Sequence, residues 1–254
     1  MIAAIAVVIP ARDEQRLIAD CLDSIRRAAR HPAVLALPVT VVVAADSCQD
    51  RTAPAARRHG AHVLEVDCRR AGAARALGTA HALDLVLAGH PALAVGQLWL
   101  AHTDADSQVP ESWLADQLTH ATAGADAVAG LVQIRDWGDH TPATAVRFLH
   151  HYDRRTRALP NPVDAQRWPQ RLHPHVHGAN LGVRADAYLA VGGFPPLAVG
   201  EDRALVTALE RASYRVHASS DAAVTTSARR DPRAPGGFGH FLLDLETRAT
   251  QPQD

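Results

Sequence analysis

Two aspartates separated by a single residue, Asp104 and Asp106, close an apolar run, Leu98-Trp-Leu-Ala-His-Thr103. Carboxylates so placed offer hard oxygen donors, the type that Mg2+ and Mn2+ take. The same residues also end ordinary buried strands by accepting backbone N–H groups in a turn, so the pair gains meaning only from its companions. Two further acidic stretches also follow apolar runs: Pro10-Ala-Arg-Asp-Glu14 after Ile2–Ile9, and Asp46-Ser-Cys-Gln-Asp50 after the run that begins at Val39. A fourth, Gly200-Glu-Asp-Arg203, precedes a helical pattern, where Asp202 suits either a helix cap or a proton acceptor. No Gly-x-Gly-x-x-Gly follows the first run and no Gly-Lys-Ser/Thr occurs. Phosphate charge in such a site would be neutralised by a cation or by arginine, not by a dinucleotide loop or a P-loop. His173, His175 and His177 alternate and on an extended chain would share one face as zinc ligands, but the proline among them argues for a loop.

The composition narrows the chemistry. With 254 residues, 47% of them hydrophobic, the chain can form one large α/β domain or two small ones sharing a core. A formal net charge of −1 excludes a nucleic-acid binder driven by a basic surface. The chain contains no lysine, so every fixed cation is arginine and lysine-amine chemistry is excluded. Cys21, Cys48 and Cys68 are odd in number and irregular in spacing, which fits reduced cytosolic thiols better than a disulfide framework or a zinc knuckle. Ile2–Ile9 is too short to span a bilayer and nothing later reaches that length, so the reading is a soluble, cytoplasmic protein with no membrane span.

The elements that must hold these residues follow from periodicity. Ile2–Ile9 is a β-branched run ended by Pro10, and residues 17–25 carry apolar side chains at helical spacing. Strands are expected from Val39, over His62–Val66 and over Gln97–His102, with a short Arg-rich helix and a long Ala/Leu helix, Ala71–Ala88, between them. That alternation predicts βαβ units in an open, mostly parallel sheet flanked by helices, with all three acidic strand ends on its ligand-binding carboxyl edge. Further on, a helix after Pro110, a strand over Ala125–Ile134, a helix over Pro142–Leu159 and an irregular Pro160–Pro174 segment are expected. Val176–Val183 reads as a strand, Ala204–Ala212 as a helix, Tyr214–His217 and Ala222–Thr226 as two short strands, and a short helix closes the chain.

Taken in order, these motifs resemble those of the nucleotide-sugar-dependent glycosyltransferases of family 2, which have the GT-A fold. The resemblance runs from Val8-Ile-Pro-Ala-Arg-Asp-Glu14 to Gly200-Glu-Asp202, with Asp13 where the family usually has Asn and Ala45 where it usually has the first of two acids. It implies a single GT-A domain over 1–254, with a nucleotide-sugar half (1–107) and an acceptor half (108–254). Pro10, Ala11, Arg12 and Glu14 would wrap the base and ribose, Asp46 would hydrogen-bond the base, and Arg75, in the Gly72-Ala-Ala-Arg75 loop, would stand near the phosphates. Asp106 would ligate Mn2+ or Mg2+, and Asp104 would face the ribose or the metal. His177, Gly178, Asn180 and Arg203 would meet the donor sugar or the acceptor, and Asp202, beside Glu201, would be the catalytic base. His217 is a possible third metal ligand, and Arg229 and Arg230 can close over the diphosphate or form a solvated loop.

The function implied is metal-dependent, inverting transfer of a sugar from a UDP- or GDP-sugar to a hydroxyl of a small molecule or glycan. Two other readings share the motifs: a retaining enzyme similar to those that make glycerate glycosides, and a catalytically dead nucleotide-sugar-binding module. A sugar-phosphate nucleotidyltransferase lacks support, because neither a Gly-x-Gly-x-Arg loop nor a lysine is present.

Overall fold

The structure, a computed structural model, describes residues 1–157, 175–232 and 236–247. The irregular segment expected over Pro160–Pro174 lies outside them, as does His173. Eight strands form one sheet: β1 (Ala4–Ala11), β2 (Val39–Asp46), β3 (His62–Val66), β4 (Leu98–His102), β5 (Ser107–Gln108), β6 (Ala127–Gln133), β7 (Leu181–Arg184) and β8 (Val216–Thr226), in the order β3-β2-β1-β4-β7-β6-β8-β5. β3, β2, β1 and β4 are mutually parallel, as the βαβ spacing requires. β7 is antiparallel to both β4 and β6, β6 pairs parallel with β8, and β5 pairs antiparallel with β8.

Among the described residues, eight α-helices surround it: α1 (Ile18–Ala29), α2 (Thr52–Arg58), α3 (Ala71–Gly89), α4 (Trp113–Thr122), α5 (Pro142–Arg157), α6 (Ala185–Ala190), α7 (Glu201–Arg211) and α8 (Phe238–Thr247). The two-residue period of β1 divides the core. Ile5, Val7 and Ile9 pack on one face with α1, while Ala4, Ala6 and Val8 pack on the other with α3, α6 and α7. Smaller residues on the second face let α3 lie close, and a β-carbon at Gly78 would approach Val8 to 2.9 Å. A satellite cluster of Phe148, Ala228 and Leu242 joins α5 to α8.

Several boundaries differ from the sequence reading, for physical reasons. β1 runs through Pro10 to Ala11, paired with Ala44 and Ala45. Val8 accepts from Thr103 N on the β4 side, and alternation puts Pro10's missing N–H on that side too, beyond the last β4 pair at His102. Residues 178–180 form a 3-10 turn rather than the middle of a strand. The two late strands are one, β8, which passes a register shift opposite Gly130 and Val132. α7 starts at Glu201, not Ala204, with Gly200 at its N-cap in a left-handed conformation, φ 81°. That conformation favours glycine.

Candidate active site

At the carboxyl edge of β1, β2 and β4 the structure has a cavity of about 580 Å³. Its walls include Pro10, Ala11, Arg12 and Glu14 after β1, Asp46 at the end of β2, and Asp104 and Asp106 after β4. They also include Gly178, and Glu201, Asp202 and Arg203 at the start of α7. Among the described residues, three of the four non-glycine residues with positive φ fall beside this edge: Asp13 (53°), Ser47 (52°) and Arg69 (54°). Asp, like Asn, tolerates the left-handed region because its short polar side chain bonds locally. Asp13 accepts from Gln49 N at 2.7 Å, which ties its turn to the loop after β2.

One half of the acidic wall is organised by Arg75, whose side chain is 3% exposed. Its Nη2 lies 2.6 Å from Asp104 Oδ1 and its Nη1 bonds Glu201 Oε1. Burial works to lower its pKa, but the charges of Asp104, Glu201 and Asp202 hold it above the ordinary arginine value. Burial pushes Glu201 upward, against the pull of Arg75. Arg75 is thus enclosed between two carboxylates as a strut linking the Asp104 turn to α7. A β-carbon at Gly178 would sit 2.6 Å from Arg75 Nη2, so any other residue there would push the guanidinium off its place. Gly178 N in turn donates to Asp202 Oδ2 at 2.8 Å, and Arg203 N donates to Asp202 Oδ1 at 2.7 Å. With Gly200 as N-cap, Asp202 lies inside the first turn, its carboxylate oriented by two amides.

The other half centres on Asp106, 15% exposed, and Glu14, 6% exposed. Arg229, from the segment after β8, makes a fork with Glu14 (2.6 and 2.7 Å) and reaches Asp106 Oδ2 at 3.0 Å. Burial pushes the Asp106 carboxyl up to about 7, with Arg229 pulling it down and Asp104 and Glu14 adding to the rise. In the unfolded chain an aspartate titrates near 4. Between those values the native protein holds the extra proton, so stability falls as pH rises through the window and levels off above it. We expect the ligand-free protein to lose on the order of 2 kcal/mol between pH 5 and pH 8. Asp106→Asn should flatten that slope, as measured by denaturant unfolding across the range.

Asp46, 3% exposed, accepts from three backbone amides: Cys68 N (2.6 Å) and Arg69 N (2.8 Å) at Oδ1, and Arg70 N (3.0 Å) at Oδ2. It fixes the loop that enters α3, whose first residue, Ala71, lines the cavity. A helix N-terminus presents free N–H groups and a positive dipole end to an anion. The far end of the cavity is aromatic. Tyr152 stacks on His175 with centroids 3.8 Å apart, His177 lies 5.9 Å from Tyr152, and Phe238 meets His177 edge-on. Tyr152 Oη and His177 Nε2 are 3.1 Å apart. Tyr152 and Phe238 escaped the motif reading. Their signal was compositional, because a chain with only 4% Phe, Trp and Tyr gathers several of them at 137–152 and 238–241.

Other expected residues lie elsewhere. Asn180 is buried: its Oδ1 accepts from Trp113 Nε1 at 2.9 Å, and its Nδ2 donates to the carbonyls of Leu131 and Ala222. A buried indole N–H needs such a partner, and Asn180 does not line the cavity. His217 stacks on His120 with centroids 4.0 Å apart, and neither lines the cavity. Arg230 pairs with Glu246 at 2.7 Å. Among the described residues, three ligand atoms close enough to share a metal occur at Asp13, Cys48 and Asp50, a rim group separate from Asp104 and Asp106. No helix among the described residues is long and apolar enough to cross a membrane.

Comparison with known proteins places this geometry. Residues 6–192 match the family described as Glycosyl transferase family 2. No curated protein matches the chain. Among solved structures, the mannosyltransferase PcManGT of Pyrobaculum calidifontis, in complex with GDP-Man and Mn2+, is similar at 21% identity and a TM-score of 0.61, over 92% of this chain and 59% of that one. TarS 1-349 of S. aureus, in complex with UDP-GlcNAc, is similar at 14% identity and a TM-score of 0.59, over 96% of this chain and 66% of that one. Glucosyl-3-phosphoglycerate synthase of Mycobacterium tuberculosis, in complex with Mn2+, UDP and phosphoglyceric acid, is similar at 17% identity and a TM-score of 0.54, over 99% of this chain and 80% of that one. The chain spans about three-fifths of the first of these.

Proposed function

This chain belongs to glycosyl transferase family 2 and has its GT-A fold, and from that premise we propose that it transfers a sugar from a nucleoside-diphosphate sugar to a hydroxyl acceptor, with inversion. The observation that carries the reading is the meeting, in one cavity, of the Asp104–Asp106 turn and the Asp202 carboxylate at the start of α7.

The donor set suits Mn2+ or Mg2+. Asp104 and Asp106 supply only oxygen, and each gives one oxygen to arginine: Oδ1 of Asp104 to Arg75 and Oδ2 of Asp106 to Arg229. Oδ2 of Asp104 and Oδ1 of Asp106, the latter with only a 3.4 Å contact from Ser107 Oγ, keep lone pairs for an ion. When bound, the ion supplies charge neutralisation to the leaving diphosphate. The chain's own groups do the rest. Pro10, Ala11 and Arg12 border the base and ribose, and the α3 N-terminus, fixed by Asp46, faces the phosphates. Arg75, which lines the cavity, keeps Asp104 and α7 in register and holds a fixed positive charge beside the phosphates. Asp202 takes the proton of the acceptor hydroxyl: a carboxylate has about four lone-pair sites, and the amides of Gly178 and Arg203 occupy two. The acceptor enters along Tyr152, His175 and His177, with Arg203 at the rim.

Support for the donor class comes from the GDP-Man, UDP-GlcNAc and UDP held by the similar structures. A thermal-shift screen of UDP- and GDP-sugars tests it. A stabilisation that needs both nucleotide and Mn2+ is expected, about 2.7 kcal/mol at a hundredfold excess over Kd. No shift with any sugar nucleotide overturns the assignment. A second reading, retention, is favoured by the similarity to the phosphoglycerate-glucosylating synthase, which spans the larger share of its partner, 80%. The anomeric configuration of the product, read by NMR, separates the two. Nucleotide binding with no transfer to any acceptor would instead leave a binding module.

A further inference from the structure

Arg229 stands where the acidic wall calls for positive charge. Both terminal nitrogens engage Glu14, at 2.6 and 2.7 Å, and Nη2 also reaches Asp106 at 3.0 Å. The guanidinium is 25% exposed and lines the cavity. It is carried by a segment that is neither helix nor strand, tied locally by Arg229 N donating to Ser227 Oγ. Resting on the donor-and-cation reading above, we propose that Arg229 is a built-in counter-ion that competes with the divalent cation for Asp106, and that the nucleoside diphosphate resolves the competition by giving the guanidinium a second anionic partner.

Same-sign charges cannot share one carboxylate without repulsion, and in a half-buried wall that repulsion is weakly screened. A cation arriving alone, on the oxygen of Asp106 that Arg229 does not hold, meets the uncompensated charge of that guanidinium. A cation arriving with a diphosphate brings oxygens that the planar fork can bind in a bidentate manner. Cation and nucleotide then favour each other by more than their direct chelation, and linkage makes that coupling reciprocal.

Binding of Mn2+ alone, followed by the EPR signal of free Mn2+, and calorimetry of UDP and GDP with and without Mn2+ test this in wild type and Arg229→Gln. The variant is expected to bind Mn2+ alone about fivefold more tightly, the scale of one partly exposed ion pair. Its nucleotide affinity in the presence of Mn2+ should fall by about tenfold. Unchanged or weaker binding of Mn2+ alone overturns the proposal. If wild type binds neither Mn2+ nor nucleotide, the donor reading itself fails. If it binds both and the variant changes neither, only the Arg229 proposal fails. Should Arg229→Gln not melt as a folded protein, Arg229→Met replaces it. It also removes the charge, so tighter binding of Mn2+ alone supports the proposal and wild-type affinity overturns it.

Discussion

Asp202→Asn should lower kcat for sugar transfer by about 10²–10⁴, the range of general-base assistance, and leave the stabilisation by nucleotide and Mn2+ intact. An acceptor hydroxyl is too weakly acidic to attack the anomeric carbon without losing its proton as the bond forms. The Asp202 carboxylate is the cavity-lining acid oriented by backbone amides at Gly178 and Arg203. Asparagine keeps the shape but offers one acceptor oxygen. Its amide nitrogen then faces one of those two N–H donors, so a modest loss of stability should accompany the loss of rate. Steady-state transfer assays paired with melting curves measure both. Near-wild-type kcat would remove Asp202 from the base role and favour the retaining reading, in which no such base is required.

Arg75→Met should destabilise the fold by about 3–5 kcal/mol, because it leaves Asp104 and Glu201 facing each other with no cation between them. For a protein of marginal stability that is a large share of the total. The test is a double-mutant cycle in denaturant. Glu201→Gln added to Arg75→Met should recover a substantial part of the loss, since the most buried of the unpaired carboxylates is then neutral. Arg75→Lys should not rescue, because a single ammonium cannot span Asp104 and Glu201 as the fork does. Additive losses in the cycle would show that the two side chains do not act as one unit.

Much of this arrangement was legible in the chain. Ile2–Ile9 and the run from Val39 announce strands buried on both faces, and such strands in βαβ spacing leave their acidic ends on one edge. The Gly178 and Asp202 motifs also meet at that edge. Long-range pairing was less legible. Nothing near Arg229 in sequence says that it reaches Glu14, and nothing near Arg75 says that it bonds Glu201. Asn180 sits in a recognisable motif, yet Trp113 claims it through the indole N–H. The Ser219-Ser-Asp221 stretch reads as a turn but continues β8. β5 covers that strand only at Thr225 and Thr226, so polar residues before them occupy an uncovered flank of the sheet, where they are tolerated.

The place of β7 has a consequence for how the chain is made. Residues 181–184 insert between β4 and β6, so during synthesis the Leu98–His102 strand emerges long before its neighbour does. Until then one flank of a fully buried, Trp-containing strand has unpaired backbone groups, the arrangement that recruits strands from other chains. Any truncation ending before residue 181 keeps that flank open, and such a fragment is expected to aggregate.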